Sequence, residues 1–125
     1  MARFSKQDVT PSEQGPGTEW RTDLDGYAVS MVSVDSDTDL TELLRGLPGD
    51  VCPSPHWGVV TRGSVWFRSG DREEVVGAGD AFFVAPGHTA GAKAGTDFAI
   101  FSPSEVMATV DAHMAARAQT LFGAG

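Results

Sequence analysis

A chain of 125 residues has room for one domain with its own core, and 41% hydrophobic against 21% charged residues is ordinary globular usage. The 15 Gly and 7 Pro point to many short turns and so to an all-β chain, while 17 acidic against 9 basic residues, a formal charge of −8, leave no basic stripe for phosphates and argue against a nucleic-acid partner. The opening MARFSKQDVT has no apolar run of signal-peptide length and no later stretch approaches the roughly 18 apolar residues of a membrane span, so a soluble, cytoplasmic protein without a membrane partner is expected.

Residues 1–20 are polar, carry Pro11, Gly15, Pro16 and Gly17, and show no sustained period; they are expected to form an irregular arm that docks on the domain or on a partner subunit, ahead of one domain over 21–125. From Gly26 to Val34 the pattern has period two, with Tyr27, Val29 and Met31 on one face and Ala28, Ser30, Val32 and Val34 on the other, which predicts a strand. Leu40, Leu43, Leu44 and Leu47 follow at helical spacing, with Asp39 ahead of Glu42 and Gly46 and Pro48 closing the segment, so a short helix is predicted near 38–46. Then WGVVT, SVWFR, EEVV and AFFVA alternate with turns at Arg62-Gly63, Ser69-Gly70-Asp71 and Gly77-Ala78-Gly79-Asp80, which is a meander of short antiparallel strands. PGHTAGAKAGTD reads as a loop with weak strand character around Ala90–Ala94, and FAIF at Phe98–Phe101 supplies another strand, ended by Pro103. Met107, Val110, Met114, Ala118 and Leu121 make one stripe of a C-terminal helix near 105–122.

The run His56-Trp57-Gly58-Val59-Val60-Thr61-Arg62-Gly63, followed about one hairpin later by Gly79-Asp80-Ala81-Phe82-Phe83-Val84-Ala85-Pro86-Gly87-His88, resembles the two motifs of the cupin superfamily over roughly residues 50–102. The resemblance implies a single-domain jelly-roll barrel. With Gly63 on the closing glycine of the first motif, His56 stands where the family has its glutamate, Cys52 where it has its second histidine and Asp50 where it has its first. Gly79 and Gly87 fit the second motif, but Ala85 replaces a proline, Ala90 replaces the histidine ligand, and His88 lies two residues early. The usual set of three histidines and a glutamate is therefore absent.

What remains is Cys52, His56 and His88, with Asp50 nearby. Thiolate and imidazole are good ligands for Zn, Fe, Ni or Cu. The resemblance implies that Cys52 and His56 share an inward face, although Pro53 and Pro55 interrupt a regular strand. Each residue also has a purely structural reading: Cys52 as buried packing, since it is the only cysteine and excludes an internal disulfide; His56 as a core histidine bonded to backbone; His88 as a turn-stabilising residue. His113 reads as a half-exposed helical histidine, and Trp57, Trp66, Phe67, Phe82 and Phe83 as barrel core.

Two functions follow. In the first, the Cys52/His56/His88 set holds a divalent transition metal and a small organic molecule completes its shell, for binding or for the dioxygenase, isomerase or lyase chemistry that the cupin resemblance implies. In the second, a metal-free pocket binds a small molecule or uses His56 as catalytic general acid or base. A homodimer is expected from the resemblance, through the N-terminal arm and the apolar C-terminal helix.

Overall fold

Short runs with a two-residue period, closed by glycine turns, build most of the chain. The computed structural model describes residues 2–13 and 17–123. Its strands are β1 (Gly17–Leu24), β2 (Tyr27–Val34), β3 (Thr38–Asp39), β4 (His56–Arg62), β5 (Ser64–Ser69), β6 (Arg72–Gly77), β7 (Ala81–Val84), β8 (Thr89–Ala92) and β9 (Thr96–Pro103), with helices α1 (Thr41–Leu44) and α2 (Ser104–Phe122). All paired strands are antiparallel, in a five-stranded sheet of order β1-β2-β9-β4-β7 and a four-stranded sheet of order β3-β8-β5-β6. The two sheets enclose an apolar core of Val34, Val60, Val65, Phe67, Val76 and Ala92, against which Val32, Phe82, Val84, Ala90 and Phe98 pack. Gly63, at φ +76°, makes the tight reversal from β4 to β5 that a residue with a Cβ would strain.

Residues 17–20, read from sequence as the end of an irregular arm, are instead the first half of β1, paired with Val34 through Met31 of β2. The charged residues Glu19, Arg21 and Asp23 hide this strand because they alternate where apolar residues would signal it; Arg21 is ion-paired with Asp111 of α2. Earlier arm residues return onto the same sheet. Ser12 and Glu19 exchange backbone hydrogen bonds at 2.8 and 2.9 Å, and the Lys6 ammonium lies 4.3 Å above the Trp20 ring.

The helix expected over 38–46 is only the four residues of α1. Thr38 and Asp39 pair with Ala92 and Gly91 and extend the smaller sheet, and the Asp39 carboxylate accepts the Thr41 N–H at 2.9 Å, so the helix starts at Thr41. It stops because Arg45 is extended and Gly46 turns through φ +104°. Leu44, Leu47 and Val110 then form a second cluster with Cys52, edged by Leu40, Met107 and Met114. Burying such side chains contributes roughly 1.5–3 kcal/mol each. His113 Nε2 bonds the Arg45 carbonyl at 2.8 Å, a purely helix-clasping role. The stripe of α2 leaves the protein at its far end, where Leu121 and Phe122 are exposed. No described helix is long and apolar enough to cross a membrane.

Candidate metal centre

Pro53 and Pro55 lack the N–H groups a strand ladder needs, so the segment before β4 bends and Cys52 does not share a strand with His56. Cys52 instead pairs with His88: its N–H donates to the His88 carbonyl and its carbonyl accepts from Gly87 N–H, both at 2.8 Å. This bridge ties together two of the residues singled out from sequence. The third, His56, opens β4 and turns its ring inward, so that Nε2 lies 3.5 Å from Cys52 Sγ. The His56 and His88 rings meet edge to face with centroids 5.0 Å apart.

One donor atom from each of Cys52, His56 and His88 falls within 4.8 Å of the others, the only such group among the described residues. All three residues are buried. A tetrahedral ion with metal–sulfur and metal–nitrogen bonds of about 2.3 and 2.0–2.1 Å would hold S and N about 3.5 Å apart, which is the Cys52–His56 spacing. Asp50 takes no part. It is exposed on a left-handed backbone, and its carboxylate accepts the Gly46 N–H at 2.9 Å. Ala90 only packs against the barrel core.

The ring nitrogens not facing the centre rest on oxygen. His88 Nδ1 donates to the Ala85 carbonyl at 2.8 Å, and His56 Nδ1 lies 2.6 Å from Ser102 Oγ. Sequence reasoning missed Ser102 and Ala85; neither a serine in an apolar strand nor a carbonyl in a corner carries a local signal. Burial, helped by the neighbouring His88, lowers the His56 pKa to about 4. Burial also lowers that of His88, partly opposed by the Ala85 hydrogen bond. Both imidazoles are therefore neutral at pH 7 and keep the lone pair a metal requires. The Cys52 thiol is pushed up, first by burial, then relieved by the Ser54 backbone and raised slightly by Asp111. Without a cation beside it, Cys52 is a thiol.

An open groove of about 420 Å³ lies between the unpaired edges of β6 and β7, with Phe67, Val76, Phe82 and Val84 among its walls and Glu74 and Asp80 beside them. Cys52, His56 and His88 do not line it. Phe67 joins the two places, since its ring stands edge-on to His88 at 5.7 Å.

Residues 51–102 match the family model of the AraC-like ligand binding domain, a span that includes Cys52, His56, His88 and Ser102. No curated protein matches the sequence. Among solved structures, a deletion mutant of oxalate decarboxylase OxdC from Bacillus subtilis is similar at 14% identity and TM-score 0.59, over 80% of this chain but only 28% of that one. The polyketide cyclase RemF from Streptomyces resistomycificus is similar at 19% identity and TM-score 0.58, over 82% of this chain and 79% of that one. Two antiparallel sheets, the C-terminal helix and these likenesses together give the chain the cupin superfamily fold.

Proposed function

We propose that the barrel holds a first-row transition metal (Zn, Fe, Ni or Cu) on Cys52 Sγ and the Nε2 atoms of His56 and His88, and that a small organic molecule binds or is transformed there. The observation that carries this reading is the donor set itself: sulfur and nitrogen 3.5 Å apart, three donors within 4.8 Å, and both imidazoles neutral. A bound metal would supply Lewis acidity and an open coordination position. The protein's part is to keep Nε2 of each ring unprotonated and to release the Cys52 proton as the cation binds. The reading covers simple binding as well as dioxygenase, isomerase or lyase chemistry, because three donors specify a metal and not a substrate. The match to a ligand binding domain supports a small-molecule partner.

Elemental analysis of the untagged protein beside Cys52→Ser tests it. Near-stoichiometric metal that disappears in the variant is expected. No metal in either, even after refolding with each of the four ions, would sink the reading.

The metal-free alternative gives His56 the role of general acid or base. A pKa near 4 puts it well below the range in which such a group works best at neutral pH. A cytoplasmic homodimer belongs to the same proposal: a lone thiol stays reduced in that compartment, and Tyr27, Trp57, Phe83 and Phe101 leave an exposed aromatic row that a second subunit would cover. Light scattering that finds a monomer at every concentration removes the dimer.

A further inference from the structure

The two imidazoles of the centre rest their Nδ1 atoms on oxygens of different kinds. A backbone carbonyl only accepts, so Ala85 fixes the proton of His88 on Nδ1 and leaves the lone pair on Nε2. A hydroxyl both donates and accepts, so Ser102, 2.6 Å from His56 Nδ1, is compatible with either tautomer of the neutral ring. In one, Cys52 S–H donates to Nε2; in the other, Nε2–H points at the sulfur across the same 3.5 Å. Only the first has a lone pair where a metal would need it.

We propose that Ser102 is the positioning residue of this centre, its hydroxyl accepting from His56 Nδ1–H and so holding the ring in the tautomer whose Nε2 can ligate. The proposal rests on the metal reading given above. Ser102 sits near the end of β9, which pairs directly with β4 through Phe101 and Trp57, so the backbone sets its distance to His56. It is 3% exposed and His56 6%, so the pair is withdrawn from water. The neighbouring hydroxyls are committed elsewhere: Ser54 Oγ donates to the Pro55 carbonyl at 2.8 Å and Ser30 Oγ to Glu19 at 2.6 Å. Removing the Ser102 hydroxyl therefore strands a buried N–H whenever His56 ligates, the loss that partners of metal-bound histidines typically prevent.

The test is cobalt(II) titration of the full chain, followed through its sulfur-to-cobalt absorption, for wild type, Ser102→Ala and Ser102→Thr. Long-range ¹⁵N–¹H spectra of the imidazoles are recorded beside it on the metal-free and zinc-loaded proteins. The expected result is a cobalt affinity about 10–100-fold weaker in Ser102→Ala, recovery in Ser102→Thr, and a loss of the Nδ1–H tautomer of His56 in Ser102→Ala. Equal affinities with an unchanged tautomer overturn the role of Ser102 alone. A wild-type chain that takes up no cobalt overturns the metal reading, and this role with it. In the zinc-loaded wild type, His56 metallated on Nδ1 overturns the proposal without any variant, whereas the part played by Ser102 is read from Ser102→Ala.

Discussion

Between the sheets, Val34, Val60, Val65, Phe67, Val76 and Ala92 pack as an all-apolar cluster, whereas at the helical end Leu44, Leu47 and Val110 share theirs with Cys52 and lie beside buried His56, His88, Ser54 and Ser102. The first region contributes stability through the area it removes from water. The second contributes little by its polar groups, because a satisfied hydrogen bond nets only about 1 kcal/mol. Yet no buried side-chain nitrogen or oxygen among the described residues lacks a partner. The polar atoms of the second region are thus held at little net gain in stability, which is compatible with the metal centre proposed above.

Phe67 belongs to both regions, touching Phe82 at 5.1 Å and His88 at 5.7 Å, so Phe67→Ala gives the largest expected effect, a loss of about 3–5 kcal/mol in chemical denaturation. A cost below about 1 kcal/mol would break the distinction between the regions. Acid should act on the helical end through its buried imidazoles. His56 titrates near 4 when folded against 6.5 when unfolded, so between those values the unfolded chain binds more protons. The His56 contribution to the stability of the metal-free protein is therefore full above about pH 6.5 and falls by roughly 3 kcal/mol toward pH 4, and buried His88 acts in the same direction. His56→Gln should flatten that part of the profile, and an unchanged slope in the variant would assign it to other groups.

Metal sharpens the same contrast. Zinc at about a hundred times its Kd should add about 2.7 kcal/mol to unfolding, read by calorimetry. Cys52→Ala should abolish that increment while costing the metal-free protein only about 1 kcal/mol as a packing change. If the zinc increment survives in Cys52→Ala, the thiol is packing and not a ligand. The smallest effect is expected outside both regions: Val75, 64% exposed on β6, should change to Thr within about 0.5 kcal/mol.

The strands from β4 to β7 and β9 are legible in the sequence because alternation and glycine turns agree there, and the resemblance of His56–Gly63 and Gly79–His88 to the cupin motifs supplies the architecture; β8, in a segment that reads as a loop with weak strand character, is set by pairing with β5. β1 is not legible, since Glu19, Arg21 and Asp23 alternate where apolar residues would mark a strand, and Arg21 finds its partner only in Asp111 of α2. The leucines at 40–47 have a helical spacing that strand pairing at Thr38 and Asp39 overrides. Cys52, His56 and His88 can be named from sequence, but their meeting depends on a backbone bridge between Cys52 and His88 that no periodicity encodes. Ser102 is further from reach. Its partner is 46 residues away and is fixed only by the pairing of β4 with β9.

That separation also orders events in time. During synthesis Cys52 and His56 emerge together, His88 follows after three more strands, and Ser102 comes only with the last one. Contacts over such spans close late, after local hairpins have formed. A nascent chain therefore exposes a thiol and one imidazole well before it possesses the third donor or the hydroxyl, and the complete centre arises only once β9 has been laid between β2 and β4.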